Sequence, residues 1–375
     1  MTSDAAASSG VASPGAGGRV PWLDLARAFA IVLVVVYHVA GGAGYDLLPR
    51  DSTGAGYWWS AVNIMLAPIP MNLFFMVSGM LALRAVRRPW SLVLRPRVLD
   101  MLWPYLLWSL VFALTAWVRY APEDPWGFAL DQVTAMVVVM GPYWFVAVLP
   151  LFFLAARLGR NRPRLLLALA VIVYVLAVPL RLAMLDAPWI PVLITEGFYR
   201  CTVYALWYLA GFVLREQIIA IATRTPAWAA GLLLVVFVLS TSVMFFGQYS
   251  HLVERILHAI ASLSGVLGPV TLMPALVRIP WIARLGGAIG SRTLEIYMIH
   301  PLVLNAVVVL YPASAPGRAL AGSLLSDLLL IPLVSAVALG AGVLAQILAQ
   351  RWHLGWLFSA PGGGRPRDIP ARAPA

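Results

Sequence analysis

The chain has 375 residues, of which 62% are hydrophobic and only 11% charged, and its mean hydropathy is +0.87. A soluble domain of this length has roughly a quarter of its residues charged, so the composition excludes a water-solvated globule and makes lipid the solvent. The net charge of +11 comes from arginines spread along the chain, with no lysine, and this scatter excludes a basic nucleic-acid-binding domain. The single Cys201 excludes an internal disulfide.

Residues 1–20 are Ala, Ser, Gly and Pro with almost no large apolar side chain, and read as a disordered cytoplasmic tail. The first apolar stretch, 21–40, holds Asp24, Arg27 and His38 and has no cleavage-site pattern, so it reads as a retained helix. Further apolar spans follow near 60–83, 98–118, 128–156, 165–183, 198–215, 227–247, 255–277, 289–311 and 325–349. Their apolar runs are continuous, as in 165–178, whereas strands of a membrane barrel would alternate. The fourth stretch is too long for one straight helix and contains Gly141-Pro142, which predicts a short outer helix before a true span. With the N-terminus inside, twenty arginines fall on the inner side and six on the outer: Arg50, Arg119, Arg181, Arg200, Arg255 and Arg318. That asymmetry follows the positive-inside rule. The expected fold is an all-α polytopic membrane protein of about ten transmembrane helices with both termini cytoplasmic. Its membrane domain is expected over 21–352, with a second cytoplasmic tail over 353–375.

Ionisable residues within such spans are costly and mark candidate sites. Arg27 and His38 are 11 residues apart, which puts them on one helical stripe about 16 Å apart along the axis. Asp24 lies one turn before Arg27 and can pair with it. The plainer alternative has Arg27 snorkelling to the headgroups and His38 in the outer interface. Ser78-Gly79, flanked by aromatics, allows close approach of another helix or of a ligand. Five arginines over 84–97 suit anionic headgroups or donor phosphates. Tyr143-Trp144-Phe145 reads either as an interfacial aromatic belt or as a sugar-stacking platform. A later span carries Arg292 and Glu295, one turn apart and able to neutralise each other, and then Tyr297 and His300. The five histidines show no i, i+4 pair, so no metal site is expected, and the sequence has no phosphate loop or nucleophile elbow.

Taken together, these segments resemble the acyltransferase 3 family of membrane O-acyltransferases, in its stand-alone form. The resemblance runs from about Pro21 to Arg351. Arg27 and His38 match its Arg-x10-His signature, and Phe74-Phe75-Met76-Val77-Ser78-Gly79 its aromatic-Ser-Gly motif. Trp144-Phe145 is similar to its Trp-Phe step, and Tyr297 with His300 to its late Tyr-x-x-His motif. Arg97 and Pro104-Tyr105 fit the basic segment before the third span, but Asp100 stands where the family has a second basic residue.

The resemblance implies transfer of an acyl group, acetyl in the first instance, from acyl-CoA to a hydroxyl of a cell-surface carbohydrate or related glycosylated acceptor at a bacterial plasma membrane. It implies catalytic roles for His38, Arg27, Glu295 and His300. Substrate contacts would fall to Asp24, Ser78, Arg97, Tyr143, Trp144 and Tyr297. Acyl-CoA would enter as co-substrate, with no bound cofactor. The competing reading is a transporter or flippase of an envelope precursor, which ten helices with intramembrane charges would also serve.

Overall fold

The computed structural model describes residues 20–48, 54–313 and 323–362. Arg50, Arg318, the N-terminal tail before Val20 and most of the C-terminal tail lie outside these residues.

Among the described residues, nine helices are long and apolar enough to cross a membrane, and ten when one bent pair counts as a span. The first is α1 (Pro21–His38), opened by a proline whose missing N–H is no loss at a helix start. It runs into a π-helical turn (Val39–Ala43) and a short α2 (Gly44–Leu47). The second span is two helices, α3 (Ala55–Leu66) and α4 (Pro70–Val86), where the sequence reading had one. Pro68 and Pro70 account for the interruption, since neither can donate to a helical ladder. After the short α5 (Trp90–Leu94), a second π-helical turn (Arg95–Leu99) leads into α6 (Asp100–Tyr120).

The expected outer helix is present as α7 (Pro125–Val137), capped by the Asp124 carboxylate on the N–H groups of Trp126 and Gly127, and it precedes α8 (Trp144–Leu158). Then come α9 (Pro163–Leu185) and α10 (Val192–Val213). α10 bends by 78° at Leu214 into the amphipathic α11 (Arg215–Arg224). The rest is α12 (Ala227–Phe246), α13 (His251–Leu276), α14 (Pro280–Gly290), α15 (Thr293–Ala313) and α16 (Leu324–Arg351). α14 was not foreseen. It ends at Gly290, where a Cβ would overlap the Asp24 carbonyl, so it lies directly against α1.

α9 and α12 expose most of their apolar side chains to lipid, whereas the spans containing α1, α4, α8, α13 and α15 bury half or more of theirs. α1 is central and packs on α4, α13, α14, α15 and α16. The tightest crossing joins α4 to α10. A Cβ on Gly79 would overlap the Tyr208 carbonyl oxygen, and one on Gly211 would overlap that of Met76. The two backbones therefore touch in both directions, as small residues permit between membrane helices. Overpacking typically costs about 1–3 kcal/mol, and here no flexible side chain is available to yield. Gly79→Val should lower the melting temperature and the monodisperse fraction in detergent chromatography, while Ser78→Ala, one residue away, should leave both unchanged.

Candidate active site

His38 ends α1, and its ring meets that of His300 from α15, with centroids 5.1 Å apart. His300 is fully buried. Its Nδ1 lies 3.1 Å from the Ile296 carbonyl, one turn back. A carbonyl only accepts, so this nitrogen carries the proton and Nε2 presents a lone pair. That Nε2 lies 3.3 Å from Nδ1 of His38, which is also 3.0 Å from the Val34 carbonyl. Both neighbours of His38 Nδ1 are acceptors, so it is the protonated nitrogen of that ring. The basic Nε2 of His38 is left without a fixed partner among the described residues.

At the other end of α1, Arg27 donates to the Thr293 hydroxyl at 2.6 Å and faces Asp24 at 3.9 Å. Thr293 opens α15, so the same two helices that join His38 to His300 are bridged again about three turns away. Arg27 and Thr293 line a cavity of about 420 Å³ with Ser78, Arg97, Tyr208 and Tyr297. Arg97 enters it from the π-helical turn before α6 and stands over the Phe153 ring. Such turns recur at functional sites, and a second one among the described residues directly follows His38. The Tyr297 ring is 5.6 Å from that of His300, so this residue links the cavity to the histidine pair.

The segment 138–143 between α7 and α8 folds into the bundle. Tyr105 donates to Met136 O at 2.6 Å, Tyr297 to Pro142 O at 2.9 Å and Tyr143 to Met298 O at 2.9 Å. Irregular backbone at membrane depth needs such partners because lipid offers none. Tyr143 is consequently fully buried, and Trp144 is nearly so, with the Arg200 guanidinium 4.8 Å from its ring centroid. Neither side chain forms an interfacial belt or an open sugar platform.

The acyltransferase domain family model matches residues 20–347, nearly the whole membrane domain. The chain belongs to the acyltransferase 3 family. No curated protein and no solved structure gives a match. The protein is thus a multi-pass membrane acyltransferase.

Of the residues singled out in the sequence, the acyltransferase brings Arg27, Ser78, Arg97 and Tyr297 into one cavity wall. His38 and His300 pair behind it, and Asp24 backs Arg27. Glu295 is buried on α15 between Thr293 and Tyr297; Arg292, one turn before it, bonds to Gln346 and to the Ala288 carbonyl. Of the five arginines over 84–97, only Arg97 lines the cavity, and Arg95 instead holds the carbonyls of Ala360 and Pro361. Three groups were missed: Thr293, Tyr208 and Arg200. Thr293 was legible only as part of a motif. Arg200 was counted among the outer-side arginines at the edge of a span started at 198, whereas α10 begins at Val192 and carries it eight residues into the helix. Among the described residues no cluster is arranged to hold a metal. A hydrogen bond to a charged group is worth about 1.5–3 kcal/mol. Thr293→Val should therefore lower kcat/KM for acyl transfer by about tenfold, with Thr293→Ser recovering most of it.

Proposed function

We propose that this acyltransferase moves an acyl group, acetyl in the simplest case, from acyl-CoA to a hydroxyl of a cell-surface carbohydrate or related glycosylated acceptor in a bacterial plasma membrane. One observation carries the reading: the cavity walled by Arg27 and Arg97 is also lined by Tyr297, whose ring packs on His300, the partner of His38. Guanidiniums match phosphate oxygens in charge and geometry, and the excess of arginine on the expected inner side suits a donor made in the cytoplasm. The thioester then extends inward toward His38.

In this reading His38 is the general base. Its unpartnered Nε2 takes the acceptor's hydroxyl proton as the oxygen attacks the thioester carbonyl. The imidazolium that forms keeps its Nδ1–H directed at the lone pair of His300, which steadies the charge and fixes the ring. When the tetrahedral carbon collapses, the C–S bond breaks and the proton passes from His38 to the thiolate. His300 acts through His38, as a positioning residue. Arg27, held by Asp24 and Thr293 about 16 Å away along α1, orients the donor and stays clear of the reacting carbon.

General base catalysis is typically worth about 10²–10⁴ in rate. His38→Ala and His38→Gln should lose that much kcat for label transfer from radiolabelled acetyl-CoA while still inserting and folding; near-normal turnover of either would remove the mechanism. Arg97→Ala should raise the donor KM with kcat little changed, the signature of binding shared by ground and transition states. A fixed donor KM would detach Arg97 from the donor.

A further inference from the structure

Arg200 plays no part in the scheme above. It lies eight residues inside α10, about 12 Å from the start of the span. It is on the inward face of that helix, in a stripe with Gly197, Tyr204, Tyr208 and Gly211. Each of these neighbours touches the interior: Gly197 abuts the Val138 carbonyl, Tyr204 stacks on Phe75, Tyr208 lines the cavity and Gly211 abuts α4. Among the described residues, the Arg200 guanidinium makes no hydrogen bond and no ion pair. It stands over the face of Trp144, 4.8 Å from the ring centroid. An intramembrane arginine without a counterion is expensive and marks a functional position. The stack on Trp144 fixes the guanidinium plane yet uses none of its N–H donors, which are left for a ligand.

The position narrows what that ligand is. Arg200 covers Trp144, and the ring of the next residue, Phe145, lies 5.6 Å from that of Tyr297, which in turn lies 5.6 Å from that of His300, the partner of His38. Arg27 is bound to Thr293 at the far end of α1, and Arg97 stands over Phe153. When an alcohol attacks a thioester, the departing proton and the new negative oxygen flank one tetrahedral carbon. A cation serving that oxygen must therefore share the neighbourhood of the base. We propose that Arg200 is the oxyanion-stabilising residue: the acceptor oxygen bonds to the thioester carbon, its proton goes to His38, and the carbonyl electron pair moves onto an oxygen held by the Arg200 guanidinium, before the C–S bond breaks and the thiolate is reprotonated. This rests on the acyl-transfer reading above. It also gives the unpaired charge a purpose, since the missing partner appears only in the transition state, where binding accelerates the reaction.

The test is transfer of label from radiolabelled acetyl-CoA to acceptor material in membrane vesicles containing matched amounts of wild-type, Arg200→Gln, Arg200→Lys, Trp144→Leu or His38→Ala protein. Loss of one oxyanion donor typically lowers kcat by about 10²–10³. Arg200→Gln should fall by that factor with donor KM unchanged and melting temperature not reduced, because it removes a charge from the membrane. Arg200→Lys should regain part of the rate, and Trp144→Leu should lose rate although the arginine is intact. The proposal is overturned if Arg200→Gln turns over within about threefold of wild type, or if its defect lies in donor KM alone. Normal turnover by His38→Ala would instead overturn the base assignment, whatever Arg200 does. A wild-type protein that transfers no label would end both.

Discussion

The contact between the backbones of α4 and α10 sets the position of almost everything at the site. Gly79 and Gly211 have no side chains to hold the helices apart, so each helix seats against a carbonyl of the other. From that crossing, Ser78 on α4 and Tyr208 on α10 turn into the same cavity. Further along α10, Tyr204 stacks on Phe75 and Arg200 reaches Trp144. A wider crossing would move the α10 stripe away from α8 and break the ring contacts that carry the cavity wall on to Tyr297. Lipid tails give no hydrophobic force between helices, so van der Waals fit of this kind is what holds the bundle together.

The second constraint is that backbone groups freed inside a membrane must find partners within the protein. Tyrosine hydroxyls meet it around 136–143, and Arg157 meets it at the end of α4, donating to the carbonyls of Val86 at 3.1 Å and Arg88 at 2.7 Å. Arg157 also stacks on Trp90 at 4.0 Å and is itself buried. A cation placed on the last carbonyls of a helix also complements its dipole. These partners explain why broken backbone lies so close to the candidate site: the segment before α8 is pinned by Tyr105, Tyr143 and Tyr297, and Tyr297 is a cavity residue as well.

Much of the architecture was legible because membrane spans announce themselves by length and apolarity. The ten expected spans correspond to the nine helices and one bent pair, and Gly141-Pro142 marked the break before α8. The Arg27–His38 stripe was legible from helical periodicity, and Arg27 with Asp24 from spacing alone. Long-range partners were not. Nothing in the local sequence of α1 says that His38 will meet a residue 262 positions away, or that Arg27 will find Thr293. Counting arginines by side of the membrane also took as outer-side charges at span ends three residues that have partners within the fold. Arg181 pairs with Glu196, Arg255 donates to Tyr174 O at 2.7 Å, and Arg200 faces the site. The positive-inside rule concerns solvated arginines, and a count by side says nothing of the partners these three find within the bundle.

Asp100 shows the same limit from the other side. The family pattern has a basic residue at this position, where this chain has a carboxylate. Asp100 accepts from the Ala360 N–H at 3.1 Å and lies 3.9 Å from Arg95, which in turn donates to Ala360 O and Pro361 O. Trp103 and Trp108 donate to the carbonyls of Trp356 and Leu357, and Phe358 stacks on Trp108. The segment after α16 is thus clamped onto the start of α6, largely through its own backbone. Recognition of that kind leaves no motif, because any residue presents the same N–H and C=O. A second guanidinium at position 100 would confront Arg95 and meet an N–H where an acceptor is needed. The carboxylate suits the clamp, and Arg95 turns to the same task. That division leaves Arg97, between the two in sequence, as the charge this segment delivers to the cavity.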